Sequence, residues 1–178
     1  NGELHINMKK WFFSMLFALC ITLTLLPVSV MAEPSPQARW GILGEGFEMP
    51  ADWISSGSLV DAVSAANGYP SSTVYIQLLS DVSTTELNLT TNNATILDLN
   101  SKTLISSSSN VICHYGLGKL TITDSTAEKN GKITCQTPES DTIILYGGSL
   151  AIEYGTVENT GIGFAINNYS IGSVEITG

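Results

Sequence analysis

The stretch Thr95-Ile96-Leu97-Asp98-Leu99-Asn100-Ser101-Lys102-Thr103-Leu104 alternates apolar and polar residues, breaks at Asn100, and resumes with Leu104. Short alternation of this kind puts successive side chains on opposite faces of a strand. The motif returns along the chain: Leu97-Asp98-Leu99, Leu120-Thr121-Ile122, Leu150-Ala151-Ile152 and Val174-Glu175-Ile176 start 23, 30 and 24 residues apart. Self-similarity at that period marks a solenoid, whose units cannot bury their apolar faces alone. Inside a unit, apolar residues recur at steps of seven, as in Leu97, Leu104 and Val111 or Leu150, Val157 and Phe164, which gives three short strands per unit. The unit with Leu120, Ile133 and Ile143 keeps its strands but lengthens its first connection through Ser125-Thr126-Ala127-Glu128-Lys129-Asn130.

Three strands and three turns in so short a repeat predict a chain wound as a triangular prism, each strand pairing in parallel with its counterpart one turn later, about 4.8 Å away. Leu97 and Leu99 are then expected to stack on Leu120 and Ile122. The predicted class is all-β: a right-handed three-sided parallel β-helix with a short N-terminal capping helix, the hand following from the general preference of parallel crossovers. Leucine-rich repeats are excluded, because the Leu-x-x-Leu-x-Leu pattern and a helical return are missing. Asn100, Asn110, Asn130-Gly131, Gly147-Gly148, Gly155, Gly161, Gly163 and Asn167-Asn168 fall between strand positions, where tight corners favour Gly and Asn.

Upstream, Ser58 is placed to cap a helix whose apolar residues Leu59, Val60, Val63 and Ala66 share a face, and which Asn67-Gly68 ends. Residues 33–57, with Trp40, Phe47 and Trp53, read as a linker that folds against the end of the repeat. Further upstream, Met8-Lys9-Lys10, the mostly apolar run from Trp11 to Leu26 and the small residues Val30 and Ala32 make a secretory signal cut after Ala32, with Asn1 to Asn7 read as upstream read-through. The expected division is 1–32, 33–57 and 58–178. Removal of the signal leaves five basic and fifteen acidic residues, a formal net charge of −10. That balance excludes nucleic acid as a partner and leaves the membrane only to the signal peptide, since polyanions are bound through clustered Lys and Arg.

The run Val74 to Leu79 with Asp81-Val82, the stretch from Thr95 to Leu104, Gly118-Lys119-Leu120-Thr121-Ile122-Thr123-Asp124, Gly131-Lys132-Ile133 and Gly147-Gly148-Ser149-Leu150-Ala151-Ile152 resemble secreted right-handed parallel β-helix repeat proteins, of pectate-lyase-like fold, from Gram-positive gut-type bacteria. The resemblance covers Leu59 to Gly178. Where that family commonly reads Leu-Asn-Gly-Lys-Thr, this chain has Ser101, at a corner that Gly would turn more easily. The resemblance implies fold more than activity, because parallel β-helices include enzymes and non-enzymes. It also implies a large cell-surface molecule whose rungs are followed by other modules. Ile176-Thr177-Gly178 stops partway into a unit and is read as part of a longer protein.

Chemistry is sparse. Glycosidic hydrolysis needs two carboxylates about 5 to 9.5 Å apart. Asp98, expected to point outward, Asp124, at a strand end, and Asp141 are the candidates, but none belongs to an Asp-Asp or Asp-x-Asp cluster. Arg39, the single Arg after the signal, lies in the linker, which weakens an eliminating lyase. His114 stands alone beside Cys113, so no zinc site and no cofactor are expected. Cys113 and Cys135 follow Val111 and Ile133 by two and are expected to face the core, with a single disulfide as the alternative. The outward face, carrying Tyr146, Tyr154, Tyr169, Glu153, Asp98 and Asp124 with Thr121 and Thr123, is the expected contact surface for an extracellular polysaccharide or host glycan. The expected function is a non-catalytic adhesin, glycan-contacting module or structural stalk; the alternative is a polysaccharide lyase or glycoside hydrolase whose catalytic rungs lie beyond Gly178.

Overall fold

The alternating segments become strands. The computed structural model describes residues 35–69 and 71–178, so the expected signal segment and its expected cleavage after Ala32 lie outside the described residues. Two strands, β1 (Ala38–Ile42) and β2 (Ile54–Ser56), precede helix α1 (Leu59–Asn67). Four rungs follow: β3 (Val74–Leu78), β4 (Val82–Ser83), β5 (Leu87–Leu89); β6 (Thr95–Asp98), β7 (Thr103–Ser106), β8 (Ile112–His114); β9 (Lys119–Thr123), β10 (Lys132–Cys135), β11 (Ile143–Leu145); and β12 (Ser149–Ile152), β13 (Thr156–Asn159), β14 (Ile166–Asn168). Strand β15 (Val174–Ile176) opens the next turn.

Corresponding strands stack into three sheets. Sheet A runs β15-β12-β9-β6-β3-β1-β2, sheet B runs β13-β10-β7-β4, and sheet C runs β14-β11-β8-β5. From β3 onward every pairing is parallel, which makes the chain an all-β three-sided parallel β-helix. The interior is a set of columns: Val82, Leu104, Ile133 and Val157 in sheet B, and Leu87, Ile112, Ile143 and Ile166 in sheet C. Leu104, Ile112, Ile133 and Ile143 are completely buried.

Two details of the expected register are corrected. Leu97 pairs with Ile76 and Ile122, and Thr95 pairs with Leu120, so the second and third rungs are offset by two residues from the alignment of Leu97 on Leu120. A slip of two preserves which side chains face inward, so alternation alone cannot choose between the registers. The corner chooses: Leu99, beyond the end of β6, donates its N–H to Thr123 O at 2.8 Å. Likewise the sheet C column uses Ile112 and Ile166 rather than Val111 and Phe164; Val111 is buried at the corner, whereas Phe164 is 66% exposed.

Residues 33–57 were expected as a linker that folds against the end of the repeat; within them β1 and β2 form antiparallel additions to sheet A, β1 on β3 and β2 on β1. The physical reason is the edge of β3, whose backbone groups facing away from β6 would otherwise lack partners. At Gly41 the hairpin closes so tightly that a Cβ would come within 2.4 Å of Asp52 O. Ser58 does cap α1, accepting from Asp61 N–H at 3.1 Å. The buried face is Leu59, Ala62, Val63 and Ala66, at helical spacing, and Val60 is exposed rather than part of it. Asn67 closes the edge of sheet C: its Nδ2 donates to Asn88 O at 2.9 Å and its Oδ1 accepts Thr90 N–H at 2.9 Å, as a peptide unit of a further strand would.

Leu120→Asp should abolish cooperative unfolding, because it places a charge in the stacked interior with no partner. A variant that melts in urea as the parent does would contradict the column architecture.

Candidate functional site

Each strand of sheet C ends in an inward residue, and in the last three rungs the next residue is tyrosine. Leu89, His114, Leu145 and Asn168 stand in register, so Thr90, Tyr115, Tyr146 and Tyr169 follow one another up the same edge of the prism. Backbone bonds set the spacing: Tyr146 N–H donates to His114 O and Tyr169 N–H to Leu145 O, both at 2.8 Å. The rings form a ladder. Tyr115 and Tyr146 stack with centroids 4.8 Å apart and planes within 7°, and Tyr146 and Tyr169 stack at 5.7 Å and 11°. After the tyrosines the chain must bend sharply against the turn below, and at Gly116 a Cβ would collide with Thr91 O at 1.7 Å.

A second row lies at the entry to sheet C. Asn110 Nδ2 donates to Glu86 Oε2 at 3.1 Å, Asn110 Oδ1 accepts Asp141 N–H at 2.9 Å, and Asp141 Oδ2 accepts from Asn167 Nδ2 at 2.7 Å. Asn167 also reaches Tyr169 Oη at 3.1 Å, which joins the two rows. Between them, on the outer face, sit Cys113 and Ile144. This corrects the expectation that Cys113 faces the core: β8 begins at Ile112, so Ile112 and His114 point inward and Cys113 outward, beneath the tyrosines. Burial, with the hydrogen bond and negative charge of Glu86, pushes the Cys113 thiol up to about 12, where it stays protonated and unreactive. Desolvation comes first in raising Tyr115 and Tyr146 as well, and the negative charge of Glu86 adds to it. Cys135 does face the core, and both thiols are free, so the disulfide alternative falls.

The expected contact residues are divided by the structure. Tyr146 and Tyr169 belong to the ladder and are well exposed, and Tyr115 joins them though alternation did not single it out. The repeated Tyr-Gly of Tyr115-Gly116 and Tyr146-Gly147 was the available signal. Tyr154-Gly155 carries the same dipeptide but follows β12, at the edge between sheets A and B, where Lys129 Nζ lies 4.3 Å from the Tyr154 ring centre. Glu153 is exposed beside it.

Asp98 and Asp124 are not surface groups. Both are completely buried. Asp98 does point away from the core, but Gln77 Nε2 at 2.6 Å, Tyr75 Oη at 3.0 Å and the N–H groups of Asn100 and Ser125 at 3.0 and 2.9 Å saturate its carboxylate. Arg39 donates to Gln77 Oε1 at 2.7 Å and lies over the Trp53 ring at 4.1 Å, so the cap and the Ser125 insertion both lie against the outer side of sheet A. Burial, together with the Asp98 charge and hydrogen bond, raises the Tyr75 hydroxyl well above its usual range. Asp124 accepts from Thr126 Oγ1 and Gly131 N, both at 2.6 Å, from Thr126 N at 3.0 Å and from Ser101 N at 3.2 Å. Burial alone would push this carboxyl up, but the Thr126, Gly131 and Ser101 bonds outweigh it and hold it below the ordinary carboxylate value. Among the described residues, no three His, Cys, Asp or Glu side chains gather as a metal site would require.

Tyr146 offers its ring edge and hydroxyl rather than a face, since both of its faces are covered, whereas Tyr115 and Tyr169 each keep one face outside the stack. Tyr146→Ala breaks two stacked pairs and should lower stability by about 1–3 kcal/mol, read in urea unfolding; an unchanged midpoint would mean that the stack is not stabilising. Asp124, with its native value lowered, stabilises the fold above the unfolded carboxyl's value near 3.9, and this contribution is lost as pH falls through the native value. Asp124→Asn should therefore be less stable than the parent at pH 7 and show a shallower acid loss below about pH 5; parallel pH profiles would refute the assignment. The chain matches no family model, no curated protein and no solved structure.

Proposed function

We propose that the chain is a secreted, surface-attached β-helix protein that acts without catalysis as a stalk and contacts extracellular glycans along its tyrosine edge. The observation that carries this reading is the tyrosine ladder, in which exposed Tyr115, Tyr146 and Tyr169 of three successive rungs stack along one edge of the prism. Rungs held in parallel register extend along one axis, as a stalk requires, and set such residues out at a regular rise. Polysaccharide or host glycan is the proposed partner, met by tyrosine hydroxyls and ring edges and by the outer faces of Tyr115 and Tyr169. Secretion through the segment ending at Ala32, and a relationship to the gut-type β-helix repeat proteins, belong to the same proposal.

The enzyme alternative finds less support. Asp98 and Asp124 spend their oxygens on hydrogen bonds inside the fold and have no exposed surface from which to reach a glycosidic oxygen.

The test is to sequence the parent gene past the codon for Gly178 and measure small-angle X-ray scattering of its secreted product. A stalk is expected to continue in alternating rungs and to scatter as a rod that gains about 4.8 Å per rung. A compact particle, or a continuation without alternation, would overturn the stalk; clustered Asp beside Arg, Lys or His in later rungs would replace it with a polysaccharide-degrading enzyme.

A further inference from the structure

The chain has six tyrosines, and three of them meet on one edge of the prism. Tyr69 packs against Trp40, Tyr75 against Trp53 and Tyr154 against Lys129, so among the described residues the ladder is where tyrosine rings stack on one another. The backbone fixes their order. Tyr146 N–H donates to His114 O and Tyr169 N–H to Leu145 O, which sets successive tyrosines at the spacing of neighbouring strands, about 4.8 Å. Tyr115 and Tyr146 have ring centres 4.8 Å apart and planes within 7°. In a biaryl joined at the carbons beside the hydroxyls, the ring centres lie at a similar separation. Forming that bond therefore asks the two rings to turn from face-on to edge-on, with no approach of the rungs. Tyr169 stands farther from Tyr146, at 5.7 Å, so Tyr115 and Tyr146 are the better-placed pair.

Access favours the phenols as well. Tyr115, Tyr146 and Tyr169 are 47%, 48% and 66% exposed, within reach of an oxidant in solution. Cys113 below them is 1% exposed, and burial keeps its thiol protonated, the form that peroxide attacks slowly. Two reactants held in contact couple in an effectively unimolecular step.

We infer that the ladder is a site of oxidative cross-linking, at which hydrogen peroxide, acting through a haem peroxidase, joins Tyr115 to Tyr146 as dityrosine. Each phenol gives up one electron and its hydroxyl proton, leaving a phenoxyl radical with spin on the ring carbons beside the oxygen. The two radicals pair as one C–C bond between those carbons, and the hydrogen on each bonded carbon moves to the oxygen of its own ring, restoring both phenols. The peroxide takes up the two electrons and two protons and leaves as two waters. The product ties neighbouring rungs covalently. It requires no glycan, so it stands or falls apart from the glycan contact.

The test is to oxidise the full chain, kept dilute, with hydrogen peroxide and a haem peroxidase, and to follow dityrosine fluorescence and the mass of the intact monomer. The parent is expected to gain the fluorescence and lose two hydrogen atoms while remaining a monomer, and its digest should contain a linked pair of peptides carrying Tyr115 and Tyr146. Tyr146→Phe keeps a ring in the stack but leaves Tyr115 and Tyr169 two rungs apart, and should lower the monomer signal by about tenfold or more. Tyr154→Phe should leave it unchanged. Dityrosine found only in covalent dimers, a cross-link that leaves out Tyr115 or Tyr146, or oxidation collected on Cys113 without a cross-link would overturn the inference. If Tyr146→Phe does not fold, the digest of the parent decides, since absence of the linked pair refutes the coupling without any variant.

Discussion

No rung of this chain can bury its own inward residues, because a triangle of three short strands has an interior only when another triangle lies above or below it. Burial in parallel register is therefore the constraint on which everything else rests. Leu104 is dry because Val82 and Ile133 cover it, and Ile112 because Leu87 and Ile143 do. The corners serve this stacking. Asp124 gathers the donors of Ser101, Thr126 and Gly131, so one buried carboxylate ties two rungs and a six-residue insertion into a fixed geometry. Asn100 and Ser101 turn the corner with positive φ, at 48° and 57°, and the bond from Ser101 N–H to Asp124 helps to hold a conformation that serine adopts reluctantly.

The same logic decides what the outer faces can offer. Sheet A, which looked from alternation like a polar surface with Asp98, Thr121 and Thr123 on display, is buried on that side at Asp98 and Thr121, as it is at Tyr75 and Gln77. Sheet C keeps its outer edge accessible, and there the regular rise of the rungs brings tyrosines from successive turns into one stack. The stack is a by-product of the repeat and also its reinforcement, since each ring covers its neighbour and shelters Cys113 below.

Much of this was legible in the residues, and the failures have causes. Alternation and the long period identify the solenoid because they reflect apolar burial, the dominant force holding the rungs together. Register slipped by two at Leu97 since inward parity is blind to that shift, and only the hydrogen bond of Leu99 beyond the strand resolves it. Cys113 was placed inward by counting from Val111, a corner residue that is buried without belonging to the strand. Asp98 pointed outward as alternation required, but burial on that side depends on Arg39, Trp53 and Ser125, residues far away in sequence. Tyr115 escaped notice although its Tyr-Gly step repeats at Tyr146, and Tyr154, named with Tyr146 and Tyr169 as part of one outward face, is exposed at a different corner, after β12.

The imitation of a peptide unit by the Asn67 side chain has a consequence for how the molecule is made. With Asn67 on β5, and β1 on β3, two of the three sheets have backbone groups at their starting edge engaged before any later rung exists. A chain emerging N-terminus first can complete this end and then lay each new strand on an edge already in place, so that assembly proceeds as vectorial templating, with loop closure limited to one turn at a time.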